Sequence, residues 1–157
     1  MIIRKAQSMD IPDINRLLFQ VAKIHRNGRP DIFKPETKKY TDIELEQIIN
    51  DPQTPIFVAV NEDEHVCGYA FCIHNEIKNH LLLCDKKSLY IDDLCVDENC
   101  RGMGIGYILY EYVKQYAEKT NCDQITLNVW CFNESAMKFY QKCGLSPLKT
   151  VMEYRIK

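Results

Sequence analysis

The sequence lacks the features of a membrane, secreted or nucleic-acid-binding protein. No apolar run approaches the length of a membrane span, and the opening Met1-Ile-Ile-Arg-Lys does not form the apolar core of a signal peptide. The formal net charge of -2 gives no reason to expect a nucleic-acid partner. We therefore expect a cytoplasmic protein that binds neither membranes nor nucleic acid.

No Cys-x-x-Cys pair occurs among the eight cysteines, so the usual sequence signs of a structural zinc site are missing. Cys72, His74, His80 and Cys84 have suitable donor atoms, but their spacing matches no standard zinc pattern. Several cysteines fall inside predicted strands or helices, which favours small, buried, reduced thiols. We therefore expect no metal, and we keep a cysteine-rich metal or redox protein only as an alternative.

Hydrophobic periodicity predicts a mixed α/β fold, in a single domain over residues 1–157, with a largely antiparallel first half. Strands are predicted at residues 2–6, 55–60, 65–74, 89–96, 124–130 and 148–156. Helices are predicted after Ser8, in residues 41–50, from about Gly104, and after Asn133. Residues 75–86 are polar around three leucines and are not assigned.

A glycine-rich turn, Arg101-Gly-Met-Gly-Ile-Gly106, lies between a predicted strand and a predicted helix. Glycines let a ligand approach the backbone, and the first amides of a helix have no internal partner, so such a turn suits an anion, most often a phosphate. The same glycines would also serve a tight turn without any ligand. A P-loop is excluded because Tyr107 and Ile108 follow Gly106, and the spacing is not that of a dinucleotide-binding fold.

Two motifs in order resemble those of the GNAT-type N-acetyltransferases. The first is Arg101-x-x-Gly104-x-Gly106 after a strand, and the second runs from Asn133 through Phe139-Tyr140 to Gly144. The resemblance covers about residues 87 to 147 and implies a single-domain fold with a central, mostly antiparallel sheet flanked by helices. It further implies that the strands holding Leu94 and Val129 splay apart.

The resemblance implies acetyl-CoA as the co-substrate. Pyrophosphate would lie on the amides that follow Arg101, and pantetheine would lie along the strand that ends at Val96, where a backbone N–H polarises the thioester carbonyl. The residues implied in binding are Leu94, Cys95, Val96, Arg101, Gly102, Met103, Gly104, Ile105, Gly106, Tyr107, Asn133 and Ser135.

Tyr140 resembles the general acid of this family, which protonates the departing thiolate. Without the resemblance it would be a packing residue with its hydroxyl at an edge. Asp92 and Asp93 are the candidate bases. Strict alternation along a strand puts their side chains on opposite faces, so we expect only one to face the acceptor, and we favour Asp92. An Asp is short for direct proton abstraction, so a water relay is the alternative.

We expect an N-acetyltransferase that acetylates a primary amine of a small molecule or peptide by direct attack in a ternary complex. Acidic residues near the site, including Asp31 and Glu36, would attract a cationic amine. Residues 29–35 are either a recognition element or a connector, and His25 is either an acceptor-site residue or structural. The alternatives are a protein N-terminal or lysine acetyltransferase and a non-catalytic acyl-CoA-binding module. The resemblance also suggests a homodimer.

Overall fold

Five strands and four α-helices form the regular structure of the computed structural model, which describes residues 1–157. No helix has the length and apolar character needed to cross a membrane. In chain order the elements are β1 (Ile2–Lys5), α1 (Ile11–Gly28), α2 (Asp42–Asn50), β2 (Ile56–Val60), β3 (Val66–Ile77), β4 (Lys86–Val96), α3 (Ile105–Lys119), β5 (Gln124–Leu127) and α4 (Glu134–Lys142).

The sheet has the strand order β1-β2-β3-β4-β5. Strands β1 to β4 pair with one another in antiparallel order, whereas β5 is parallel to β4. The parallel pairing joins only Ser88–Ile91 to Gln124–Leu127, although β4 continues to Val96. The predicted strand at 124–130 therefore ends early, at Leu127, and the implied separation of the two strands is confirmed.

Each face of the sheet is covered by helices. Alternation along β2 sends Ile56, Val58 and Val60 to a core under α1 and α2. Phe57 and Ala59 point to a second core under α3, and all five residues of β2 are buried. This three-layer arrangement confirms the mixed α/β class.

Local capping signals correctly predicted the starts of α2 and α4. The prediction of a helix start at Ser8 is wrong, because Ser8 lies in a short 3₁₀ turn and α1 begins at Ile11 without a side-chain cap. The Thr41 side chain accepts a hydrogen bond from the Glu44 amide, and the Glu44 carboxylate accepts one from the Thr41 amide, which completes a capping box. Asn133 likewise caps α4 by accepting from the Ala136 amide. The unassigned residues 75–86 contain the end of β3, a turn at 78–85 and the start of β4.

All eight cysteines are free thiols. Cys67, Cys72 and Cys95 are buried, but the expectation of burial is wrong for Cys84 and Cys131, which are exposed. No group of three or more His, Cys, Asp or Glu side chains is arranged to hold a metal ion.

The predicted strand at 148–156 is wrong. Beyond Leu145 the chain makes no backbone–backbone hydrogen bond. Its large apolar side chains are exposed, namely Leu148, Val151, Met152, Tyr154 and Ile156. Alternation decides which side chains share a face, but a strand exists only beside a hydrogen-bonding neighbour, and no neighbouring strand lies alongside this segment.

The glycine turn before α3 needs glycine for its backbone. Gly102 and Gly104 have φ values of +79° and +77°, in the left-handed region that other residues avoid. A Cβ at either position would meet nothing within 4 Å, so packing does not require them. Gly106 lies inside α3 without a positive φ, and its added Cβ would approach Phe139 at 3.4 Å.

We expect Gly104→Ala to lower the free energy of unfolding by about 1–2 kcal/mol, the cost of a left-handed L-residue. Gly106→Ala is the matched control, because alanine favours a helix interior over glycine by up to about 1 kcal/mol. Urea unfolding of both variants measures the difference. Equal losses at the two positions would contradict this account of the turn.

Candidate active site

The turn between β4 and α3 offers backbone donors to an anion. No side chain caps the N-terminus of α3, because the N-cap residue is Gly104. The open space beside Gly102 and Gly104 leaves these amides accessible, so the turn fits the phosphate groups of a CoA molecule. Arg101 is exposed beside it, and its Nε donates to the Val96 carbonyl at 3.3 Å.

Other residues predicted to bind the co-substrate differ in exposure. Met103 and Tyr107 are exposed, whereas Ile105 is buried in the core under α3. Ile105 can therefore offer a ligand its backbone amide but not its side chain.

The end of β4 borders the gap that opens beside β5. Leu94 and Val96 are partly buried against the core under α3. Cys95 faces the other way, and its thiol lies 3.9 Å from the Leu17 carbonyl beneath α1. The side chain of Cys95 therefore belongs to the core, and only its backbone can contact a ligand in the gap.

Helix α4 packs beside the glycine turn. Phe139 lies next to Gly106, and its ring centroid is 5.1 Å from that of Tyr140. Ser135 is exposed and donates to the capping oxygen of Asn133 at 3.1 Å. The second motif thus stands beside the first, as the resemblance implied.

A β-bulge in β4 determines where the two aspartates point. Asp93 pairs with Phe71 and Ile91 pairs with Cys72, so Asp92 has no partner on β3. Ile91 and Leu94 both pack toward α3, which shows that the alternation shifts by one residue between them. The prediction of opposite faces is therefore wrong, because Asp92 and Asp93 both lie on the face covered by α1 and α2.

Asp93 accepts a hydrogen bond of 2.8 Å from the Tyr69 hydroxyl. Burial raises the pKa of Asp93 to about 6, and the hydrogen bond from Tyr69 offsets only part of that increase. Burial also raises the pKa of Tyr140, with a further contribution from the nearby Asp93 carboxylate. The charge of Asp93 therefore favours the protonated form of Tyr140.

Asp92 is bound by two residues that the sequence did not reveal. Lys39 Nζ lies 2.5 Å from Asp92 Oδ2, and the Tyr40 hydroxyl donates to the same oxygen at 2.8 Å. The Tyr40 ring stacks on Phe71 at 5.5 Å between centroids. The sequence showed that Tyr40 directly precedes the Thr41 helix cap. A helix cap does not indicate a contact with β4, so the bonds to Asp92 could not be predicted.

Aromatic rings follow one another from the end of α1 toward the end of β5. His25 and Phe33 are 5.0 Å apart between centroids, and Phe33 meets Trp130 edge-on at 5.4 Å. Trp130 in turn stacks with Phe132 at 6.0 Å. Burial lowers the pKa of His25, with a smaller contribution from Lys39. His25 and the loop after α1 are therefore packed against the chain that follows β5.

The two acidic residues expected near the acceptor have other surroundings. Asp31 is bonded to Arg29 at 2.8 Å, and this contact lowers the pKa of Asp31 to about 2. Glu36 lines a pocket with Lys23 of α1 and Lys34 of the following loop. Asp92 and Asp93 remain as the acidic groups of this site.

Comparison with known proteins identifies the family. The Acetyltransferase (GNAT) family model matches residues 19–145. The peptidyl-lysine N-acetyltransferase YjaB of Escherichia coli is 32% identical over 103 residues, covering 64% of this chain and 57% of that protein. The probable N-acetyltransferase san of Drosophila melanogaster is 35% identical over 71 residues, covering 45% of this chain and 39% of that protein. The matched segments thus span less than two thirds of these curated relatives.

A solved structure matches the fold over the whole chain. A mutant of the BH1408 protein from Bacillus halodurans has a TM-score of 0.96 and 31% sequence identity, with 100% of both chains covered. Members of the matched family use acetyl-CoA. The match over residues 19–145 includes the glycine turn, the bulged strand and Tyr140, and this chain belongs to the GNAT acetyltransferase family.

Proposed function

We propose that the protein transfers the acetyl group of acetyl-CoA to a primary alkyl amine, of a small molecule or a peptide, while both substrates are bound. The observation that carries this proposal is the bulge in β4, which turns Asp92 and Asp93 to one face and places Asp93 where its charge acts on Tyr140. This arrangement supplies a cation site, a base and an acid together. Acetyl-CoA supplies the reactive thioester.

Asp92 is suited to bind the ammonium group of the acceptor. It already holds the ammonium group of Lys39 and a phenol hydroxyl, so its oxygens accept from cationic and neutral donors. A free alkyl amine has a pKa of about 10.4 and arrives protonated at neutral pH. The acceptor must therefore lose a proton after binding.

Asp93 is suited to remove that proton, directly or through a water molecule. With a pKa of about 6 it is ionised at neutral pH, yet it is a stronger base than an ordinary aspartate. We therefore assign the base to Asp93 and the cation site to Asp92. The preference for Asp92 as the base rested on strict alternation, which the bulge breaks.

Tyr140 is suited to protonate the departing sulfur. Its raised pKa keeps the phenol protonated at neutral pH, and a thiol has a pKa of about 8.5. The backbone of β4 beyond Ile91 has no partner on β5, so its N–H groups on that side are free to polarise the thioester carbonyl. Such donors are fixed before charge develops on the oxygen.

A lysine side chain is the acceptor that best fits this site. Lys39 is a lysine of the protein itself, and its ammonium group rests on Asp92. One relative, at 32% identity, is named a peptidyl-lysine acetyltransferase. Aminoglycosides, polyamines and free N-termini carry amines of the same class and are the competing acceptors.

The test is the release of free CoA thiol from acetyl-CoA with lysine peptides, peptides with free N-termini, polyamines and aminoglycosides. We expect saturable release with one class. Tyr140→Phe should lower kcat by roughly 10²- to 10⁴-fold while calorimetry shows unchanged acetyl-CoA binding. Binding without release from any amine would instead support the non-catalytic acyl-CoA-binding module.

Asp93→Asn should abolish the acid limb of the kcat/KM profile, which we expect near pH 6 in the wild type. Asp92→Asn is the matched control one residue away and should mainly raise KM for the amine. An unchanged acid limb in Asp93→Asn would refute Asp93 as the base.

Asp93→Asn should also change how the stability of the protein depends on pH between 3.8 and about 6. The folded pKa of about 6 exceeds the ordinary value of 3.8, so the unfolded chain ionises first as pH rises and the folded state loses stability across that window. Thermal unfolding should show that the stability of Asp93→Asn relative to the wild type increases with pH across that window. Above the window the difference between the two proteins should stay constant.

We also propose that the protein forms a homodimer through its C-terminal segment, residues 146–157. Even-numbered Met152, Tyr154 and Ile156 alternate with charged neighbours, which is the pattern of a strand with one buried face. All three are exposed, and β5 is an edge strand with one unpaired side. A second copy of the chain offers an identical segment for pairing.

Light scattering after size exclusion should give a dimer for the full chain. Met152→Asp combined with Tyr154→Asp should shift the mass to the monomer, because both charges fall on the apolar face. Lys149→Asp is the control, because an odd-numbered residue would lie on the face opposite Met152 and Tyr154, and it should leave the dimer intact. A monomeric wild type would contradict the proposal.

A further inference from the structure

Lys39 differs from the other lysines in what its ammonium group contacts. It lies in the connection between α1 and α2, and its Nζ is 2.5 Å from Asp92 Oδ2. The neighbouring Lys38 points elsewhere and is bonded to Asn15 and Asp42. Among the described ion pairs and hydrogen bonds, no other lysine contacts a carboxylate of β4.

The ion pair between Lys39 and Asp92 joins an exposed ammonium group to a carboxylate that is largely covered. The Asp92 side chain is only 15% exposed, whereas that of Lys39 is 46% exposed. The charge of Lys39 also acts on Asp93 and on His25, which lie on different elements around the same space. A primary amine on a tether therefore already occupies the site proposed for the substrate's ammonium group.

We propose that Lys39 is a self-acetylation site, at which the protein transfers an acetyl group from acetyl-CoA to its own Lys39 Nζ within one chain. This inference rests on the proposed function, because it uses the same site. The connection that carries Lys39 raises the local concentration of the amine beside Asp92, which favours the intramolecular reaction.

The step balances without any further reactant. The ammonium group of Lys39 gives one proton to Asp93, which passes it to water. The neutral Nζ attacks the thioester carbonyl carbon, so that an N–C bond forms and the C–S bond breaks. The sulfur takes the proton of the Tyr140 hydroxyl and leaves as CoA thiol, and Tyr140 regains a proton from the attacking nitrogen, directly or through a water molecule. The products are N-acetyl-lysine, CoA and one released proton.

Acetylation changes the site in a definite way. An acetylated lysine carries no positive charge, so it no longer forms the ion pair with Asp92. The carboxylate would then be available to the ammonium group of an external amine.

The test uses the full chain and acetyl-CoA labelled with carbon-13 in the acetyl group, without an added acceptor. Peptide mass spectrometry measures label at each lysine. Lys78 is the internal control, because it is 65% exposed and paired with Glu76 at 2.9 Å, so it reports chemical acetylation of an exposed, ion-paired lysine. We expect label at Lys39 at least about tenfold faster than at Lys78, from the effective concentration. The purified protein can carry unlabelled acetyl groups that were attached to Lys39 during expression. These count as product of self-acetylation only if Tyr140→Phe protein, expressed in parallel, lacks them.

Two comparisons separate enzymatic transfer from chemical acetylation. Tyr140→Phe should slow labelling of Lys39 by at least about tenfold and leave Lys78 unchanged. The first-order rate at Lys39 should not depend on protein concentration. Equal rates at the two lysines, no effect of Tyr140→Phe, or a rate proportional to protein concentration would each overturn the proposal.

The same preparation is assayed with the amine panel, which separates the two proposals. Transfer to an external amine while Lys39 carries neither labelled nor unlabelled acetyl overturns self-acetylation and leaves the acetyltransferase function standing. No transfer to Lys39 or to any amine overturns both. Label at Lys39 that requires Tyr140 supports both.

Discussion

The active site depends on one irregularity, the absence of a β3 partner for Asp92 in β4. A regular strand would have sent Asp92 and Asp93 to opposite faces, with one of them under α3 among apolar side chains. The bulge instead turns both toward the face covered by α1 and α2. The pairing of β4 with β5 ends at Ile91, directly before the bulge, so the acidic pair and the open backbone of β4 arise at one point.

The electrostatics of Asp93 distinguish it from the structural carboxylates. Asp10 is buried and bonded to Arg4 at 2.7 Å, and buried Asp97 is paired with Arg16. Asp93 has a phenol hydroxyl as its hydrogen-bond donor and no bonded cation. Burying a carboxylate without a bonded cation costs stability, and the raised pKa of Asp93 expresses that cost. The fold thus keeps a destabilising group at the position of the proposed base.

Three distant segments meet at this site. The loop before α2 brings Lys39 and Tyr40 to Asp92, and α4 brings Phe139 beside the glycine turn, with the Tyr140 ring next to that of Phe139. The loop also packs on β3 through the stacking of Tyr40 on Phe71. In the proposed function, the acceptor side is therefore built by the segment between β1 and β2, and the acetyl-CoA side by the part of the chain that follows β4. This division explains how a lysine of the loop can stand where a substrate amine would bind.

The sequence by itself determined what depends on neighbours a few residues apart. The caps at Thr41 and Asn133, the left-handed Gly104 and the order of the two motifs were all predictable, because capping and φ preferences are local. Tertiary structure decided the rest. The bulge follows from the register between β3 and β4, the contacts of Lys39 and Tyr69 join residues far apart in the chain, and residues 148–156 lack a neighbouring strand. These features depend on pairing between distant segments, which periodicity along one segment does not encode.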